Sequence, residues 1–117
     1  MRVLLDKNVP IGVRRFLPSH EVCTFVETRW HPELNNGDLL QAAEAAGFDV
    51  TVTSDQNIRY QQNLVGRRLA LVVLGSNIWP IVRRYEAQIA AKTSSAAQGS
   101  FDFIEMLLPT KPKRGGG

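Results

Sequence analysis

The sequence predicts a single-domain α/β fold, a three-layer sandwich built around a mostly parallel central sheet. Three observations carry this expectation. Short apolar runs alternate along the chain with segments of helical spacing, the order of βαβ units. Those runs show little in-out alternation, as strands covered on both faces do. The chain has 117 residues, 44% of them apolar and 21% charged, which suits one core of ordinary composition.

The first run, Arg2 to Asp6, is stopped by Asp6-Lys7-Asn8. Pro10 suits the first turn of a following helix, with Asn8 as its cap and Ile11, Phe16 and Leu17 on its inner face. Pro18 ends that helix, and His20 to Val26 reads as a second strand. Glu27 to Asn36 is polar and irregular. Gly37 to Ala46 is predicted helical, since Leu39, Ala43 and Ala46 lie at three-to-four spacing and Gly47 stands where helices stop. Asp49 to Thr53 is the third strand, followed by a polar segment from Ser54 through Asn63. Arg68 to Leu74 is the fourth and most apolar strand. Ile78, Ile81, Val82, Tyr85 and Ile89 mark one face of the longest helix. After a loop from Ser94 to Gly99, Phe101 to Leu108 forms a last strand at an edge. The folded domain therefore spans residues 1–108, and the basic, glycine-ended tail 109–117 offers no apolar surface to bury.

Composition excludes several classes. No apolar run approaches the roughly 18 residues of a membrane span, and a strand pattern begins within three residues of Met1, so no signal peptide is expected. The single cysteine, Cys23, leaves no internal disulfide or Cys-rich zinc site and reads as a small core residue. A reducing cytoplasm suits these features. Fourteen Lys and Arg against eleven Asp and Glu give +3, a mild excess that permits polyanion binding without demanding it.

In open parallel sheets ligands bind outside the carboxyl ends of the strands. Asp6 and Asn8 follow the first strand, Asp55 and Asn57 the third, and Ser76 and Asn77 the fourth; Asp38 opens the helix before the third. Each acid has a plain structural reading, because carboxylates are favoured at helix N-termini. Two Asp-x-Asn triplets at the ends of two buried strands argue further for a site, as does Asp6 directly after Leu4 and Leu5. Clustered hard oxygen ligands without His or Cys suit Mg²⁺ or Mn²⁺ better than zinc. His20 and His31 have no partner at ligand spacing, and Trp30 and Trp79 read as packing residues. Arg29, Arg59, Arg67 and Arg68 are candidate phosphate contacts, with a solvated surface as the default.

Beyond these residues, the chain resembles the small PIN-like nuclease domains of prokaryotes, several of them toxin-like. The blocks that carry the resemblance are M-R-V-L-L-D-K-N-V-P (Met1 to Pro10), N-G-D-L-L-Q-A-A (Asn36 to Ala43), A-G-F-D-V-T-V-T-S-D-Q-N (Ala46 to Asn57) and Y-Q-Q-N-L (Tyr60 to Leu64). The resemblance implies a PIN-like fold and a Mg²⁺- or Mn²⁺-dependent ribonuclease from a toxin–antitoxin pair. By the same resemblance Asp6, Asp38 and Asp55 are catalytic metal ligands, and Asn8 and Asn57 are supporting polar groups; Ser76, from its place after the fourth strand, is a further supporting polar candidate. The partners it implies are RNA and a cognate antitoxin, with a homodimer also open. The chain departs from the better-known PIN nucleases in lacking an obvious fourth acid and in placing Lys7 beside Asp6. Two alternatives stand beside this reading: an inactive PIN-like module that only binds a partner protein, and a phospho-accepting receiver domain.

Overall fold

The computed structural model describes residues 1–34, 36–58 and 67–107, with Asn36 described by its backbone alone. The candidate contact Arg59, the whole Tyr60–Leu64 block and the tail lie outside these residues. Five strands form one sheet, β1 (Arg2–Leu5), β2 (Glu21–Thr24), β3 (Val50–Thr53), β4 (Ala70–Leu74) and β5 (Phe101–Ile104), in the order β2-β1-β3-β4-β5. Every neighbouring pair is parallel, and Leu4 stands between Cys23 and Thr51. Parallel neighbours cannot be joined by tight hairpins, so each connection crosses over a sheet face. The chain leaves β1 toward β2 and leaves β3 toward β4. Its crossovers therefore part at the carboxyl ends of β1 and β3, where doubly wound sheets open a crevice.

Alternation along the strands divides the core in two. Val3, Leu5, Val50, Val52, Val72 and Leu74 meet a 3₁₀ helix (Ile11–Phe16) and the segment holding Ile81, Val82 and Ile89. Leu4, Leu71 and Val73 meet Leu39, Leu40 and Ala43 of a helix on the other face. Strands covered on both sides explain the unalternating apolar runs. Each fully buried leucine contributes on the order of 1.5–3 kcal/mol.

Several boundaries differ from expectation. The second strand stops at Thr24 because Thr24-Phe25-Val26-Glu27 forms a capping box. Thr24 Oγ1 accepts from the Glu27 amide, and Glu27 Oε1 accepts from the Thr24 amide at 2.9 Å. Phe25–Thr28 then makes the short helix α1, closed by Arg29 in the left-handed region at φ 61°. The next helix, α2, runs Asn36–Ala45.

The first helical segment is 3₁₀ rather than α, with Pro10 at its N-cap and no side-chain cap. Three residues per turn put Val13 and Phe16 on the inner side, and Ile11, expected inside, is 76% exposed. The expected long helix is three pieces: α3 (Trp79–Val82), a 3₁₀ turn (Arg83–Tyr85) and α4 (Glu86–Ser94). Ile78 sits at the N-cap of α3, outside the helical face that buries Ile81 and Val82, and is 54% exposed.

At the amino edge of the sheet, Glu44 Oε2 accepts from the Arg68 amide at 2.6 Å and the Leu69 amide at 3.2 Å, at the entry to β4. The Arg68 N–H holds the Glu44 carboxyl below its ordinary value of 4.5, against burial, with help from the Leu69 N–H and the arginine charges. A carboxyl depressed on folding stabilises above its unfolded pKa, and that contribution is lost as pH falls through the folded value. Glu44→Gln is therefore expected to melt below the native chain near neutral pH. The gap should close below pH 4.5, as a series of melts across the acid range will read.

Candidate functional site at the carboxyl edge

Asp6 extends the β1 ladder by one residue, its amide donating to Val52 O at 2.9 Å. By strand alternation it shares the sheet face of Leu4. Its side chain is buried at 5% exposure. Oδ1 accepts from the Lys7 amide at 2.7 Å, and Oδ2 accepts from Thr53 Oγ1 at 2.7 Å. Both donors are neutral, and Asp6 makes no ion pair among the described residues. The adjacent Lys7 does not supply one: its Nζ donates to Pro32 O and lies 5.5 Å from the centre of the Phe25 ring.

Thr53, fully buried at the end of β3, joins the two strand ends. While donating to Asp6, its hydroxyl accepts from the Asp55 amide at 3.1 Å. Asp55 Oδ1 accepts in turn from the Asn57 amide at 3.0 Å, and Asp55 O from the Ile58 amide at 3.3 Å. This is N-cap geometry, so Asp55 fixes the turn that follows β3. Asn8, expected to cap the first helix, spans the two loops instead. Its Oδ1 accepts from the Ser54 amide at 3.1 Å and its carbonyl from Ser54 Oγ at 3.1 Å.

The other predicted residues are placed as follows. Asp38 lies in the first turn of α2, which starts from the carboxyl edge in its crossover from β2 to β3. Among the described residues no three or more His, Cys, Asp or Glu are grouped to hold a metal ion; Asp6 and Asp55 are linked through the Thr53 hydroxyl. Ser76 Oγ accepts from the Ile78 amide at 3.1 Å and closes the turn that leads into α3. Asn57 enters the network through its backbone and is exposed. Arg29 is exposed after α1. Arg67, 3.7 Å from Glu44, and Arg68 precede β4 at the amino edge, the far end of the sheet from Asp6.

Three participants were not singled out from sequence: Thr53, Gln56 and Ser54, whose amide and hydroxyl both donate to Asn8. Thr53 carries the central hydroxyl, and a threonine ending a buried strand beside an acid is a weak signal for it. Gln56 Nε2 donates to Gly75 O at 2.9 Å and ties the turn after β3 to the end of β4. Comparison with protein-family models, with curated proteins and with solved structures yields no match.

Proposed function

We propose that this chain is a PIN-like, divalent-cation-dependent endoribonuclease, the toxin of a prokaryotic toxin–antitoxin pair acting in the cytoplasm. One observation carries the reading: Asp6 is a buried carboxylate held by neutral donors, with no ion pair among the described residues. Buried charges are stable when paired or when they coordinate a cation. The donor set at the switch point fits a hard ion, since Asp6, Asp55, Asn8, Thr53 and Ser54 offer oxygen ligands and no imidazole or thiolate. Mg²⁺ is commonly held by one or two carboxylates with water and substrate phosphate rather than by an all-protein cage. Asp6 and Asp55 would hold it, and Asp38 is the third acid of this reading.

When bound, such an ion activates a water and offsets charge on the phosphate oxygens. The chain's own residues prepare the place. Thr53 fixes the Asp6 carboxylate, Asp55 and Gln56 hold the turn after β3, and Asn8 keeps the loops after β1 and β3 in register. RNA and a cognate antitoxin are the partners of this reading, and a homodimer stays within it. Among the described residues no helix is long and apolar enough to cross a membrane.

A receiver domain is the second reading. The strand order β2-β1-β3-β4-β5 is shared with that class, and Asp55 and Ser76 stand after the strands where a phospho-acceptor and a hydroxyl would. Against it, β1 ends in a single acid followed by Lys7, and Glu105–Leu107 after β5 contain no lysine.

Melting curves with EDTA and with excess Mn²⁺, for the native chain and Asp55→Ala, separate the readings. Loss of the cap costs Asp55→Ala about 0.5–2 kcal/mol in either condition. The nuclease reading also requires Mn²⁺ to raise the native melting temperature more than that of the variant. Equal responses reject it and leave Asp55 as a cap, the result expected of an inactive binding module. Labelling of Asp55 by an acyl phosphate would instead favour the receiver.

A further inference from the structure

A groove of about 410 Å³ runs between the 3₁₀ helix and α3, lined by Pro10, Ile11, Gly12, Arg15 and Trp79. It belongs to the layer covering the sheet face opposite Leu4 and Asp6. Its aromatic wall is fixed in place. The Trp79 ring stacks on Phe16 at 5.6 Å and 15°. It also lies so close over Gly12 that a β-carbon there would meet its Cη2 at 2.4 Å. Ile11 stands open beside it at 76% exposure, and Ile78 flanks Trp79 at 54%.

The rim is cationic. Arg15 lines the groove together with Ile11, and Arg83 follows Trp79 by four residues, the spacing of neighbours on one helical face. Arg84, the next residue in the chain, is also exposed. Among the described residues Arg2, Arg14 and Arg67 are each ion-paired, whereas Arg15, Arg83 and Arg84 are not.

From these features we infer that the groove docks an acidic segment of a partner protein, one that carries a bulky apolar side chain. The apolar side chain lies against Trp79 and Ile11, and Asp or Glu residues around it meet Arg15 and Arg83. Tryptophan and arginine are the residue types that dominate binding energy at protein interfaces. A rigid tryptophan also loses little conformational freedom on binding. Pro10 and Ile11 beside Trp79 make an apolar lining that suits an aliphatic or aromatic side chain of a protein better than the polar edge of a base. The surface is separate from the Asp6–Thr53–Asp55 network and does not depend on the nuclease reading.

The test is fluorescence anisotropy on the full chain. The probe is a fluorescein-labelled peptide alternating Glu and Asp with Leu and Phe. Its controls carry Lys at every acid or Ser at every apolar position, and a labelled oligouridine is the nucleic-acid control. The acidic apolar peptide is expected to bind, and both control peptides to bind at least about tenfold more weakly. Ile11→Asp and Arg15→Glu, both at exposed positions and checked by circular dichroism, should each weaken it by a similar factor. No binding of the acidic peptide, or binding indifferent to both substitutions, overturns the proposal. Oligouridine binding that both substitutions abolish, without peptide binding, assigns the groove to nucleic acid instead.

Discussion

If the proposed nuclease reading holds, Asp6→Asn is expected to lower Mn²⁺-dependent RNA cleavage by at least about a hundredfold, since loss of even an outer partner of a metal ligand costs 10–100-fold. The protein should nevertheless remain folded. The amide oxygen can keep the bond from the Lys7 N–H, and the amide nitrogen can donate to Thr53 Oγ1. The Thr53 hydroxyl hydrogen would then turn to Asn8 Oδ1, which already lies 3.4 Å away. What disappears is the buried negative charge. In EDTA the variant should therefore melt at or above the native temperature, and added Mn²⁺ should raise it less than it raises the native chain. Cleavage of a labelled RNA, with the two melts beside it, reads all three quantities. Undiminished cleavage by a folded Asp6→Asn protein would remove Asp6 from the chemistry.

Thr53→Val carries the largest expected cost in stability. Valine fills the same volume but removes the donor to Asp6 Oδ2 and the acceptor for the Asp55 amide together. A buried carboxylate left short of a donor costs on the order of 2–3 kcal/mol, a fall of roughly 10 °C in a domain of this size. Thr51→Val is the matched control on the same strand and face. Thr51 Oγ1 is buried with no hydrogen-bond partner among the described residues, so replacing it should change the melting temperature little or raise it. The Thr53→Val cost should also shrink in an Asp6→Asn background, because the deprived group is then uncharged. Equal shifts for Thr51→Val and Thr53→Val would mean that the hydroxyl of Thr53 does not support Asp6.

Local pattern carried the architecture further than it carried the boundaries. The β1, β3 and β4 runs lie where their apolar residues placed them, since covering both sheet faces leaves a trace in the sequence. The reading of His20 to Val26 as one strand passed over the Thr24-Phe25-Val26-Glu27 box, which ends β2 at Thr24 where β propensity alone would have continued it. Ile11 and Ile78 misled for the opposite reason. An apolar residue near a helix start reads as core, but a 3₁₀ turn and an N-cap rotated both side chains outward.

By itself, then, the sequence determined an α/β domain of parallel strands with acids at the strand ends, because burial and periodicity are written residue by residue. Only the tertiary structure decided that β1 lies beside β3, which brings Thr53 to Asp6 across 47 residues of chain. It also turned Lys7 toward Pro32 and left Asp6 to neutral donors. Strand neighbours are chosen by how whole faces pack against the crossovers. That choice is collective, and no local spacing encodes it.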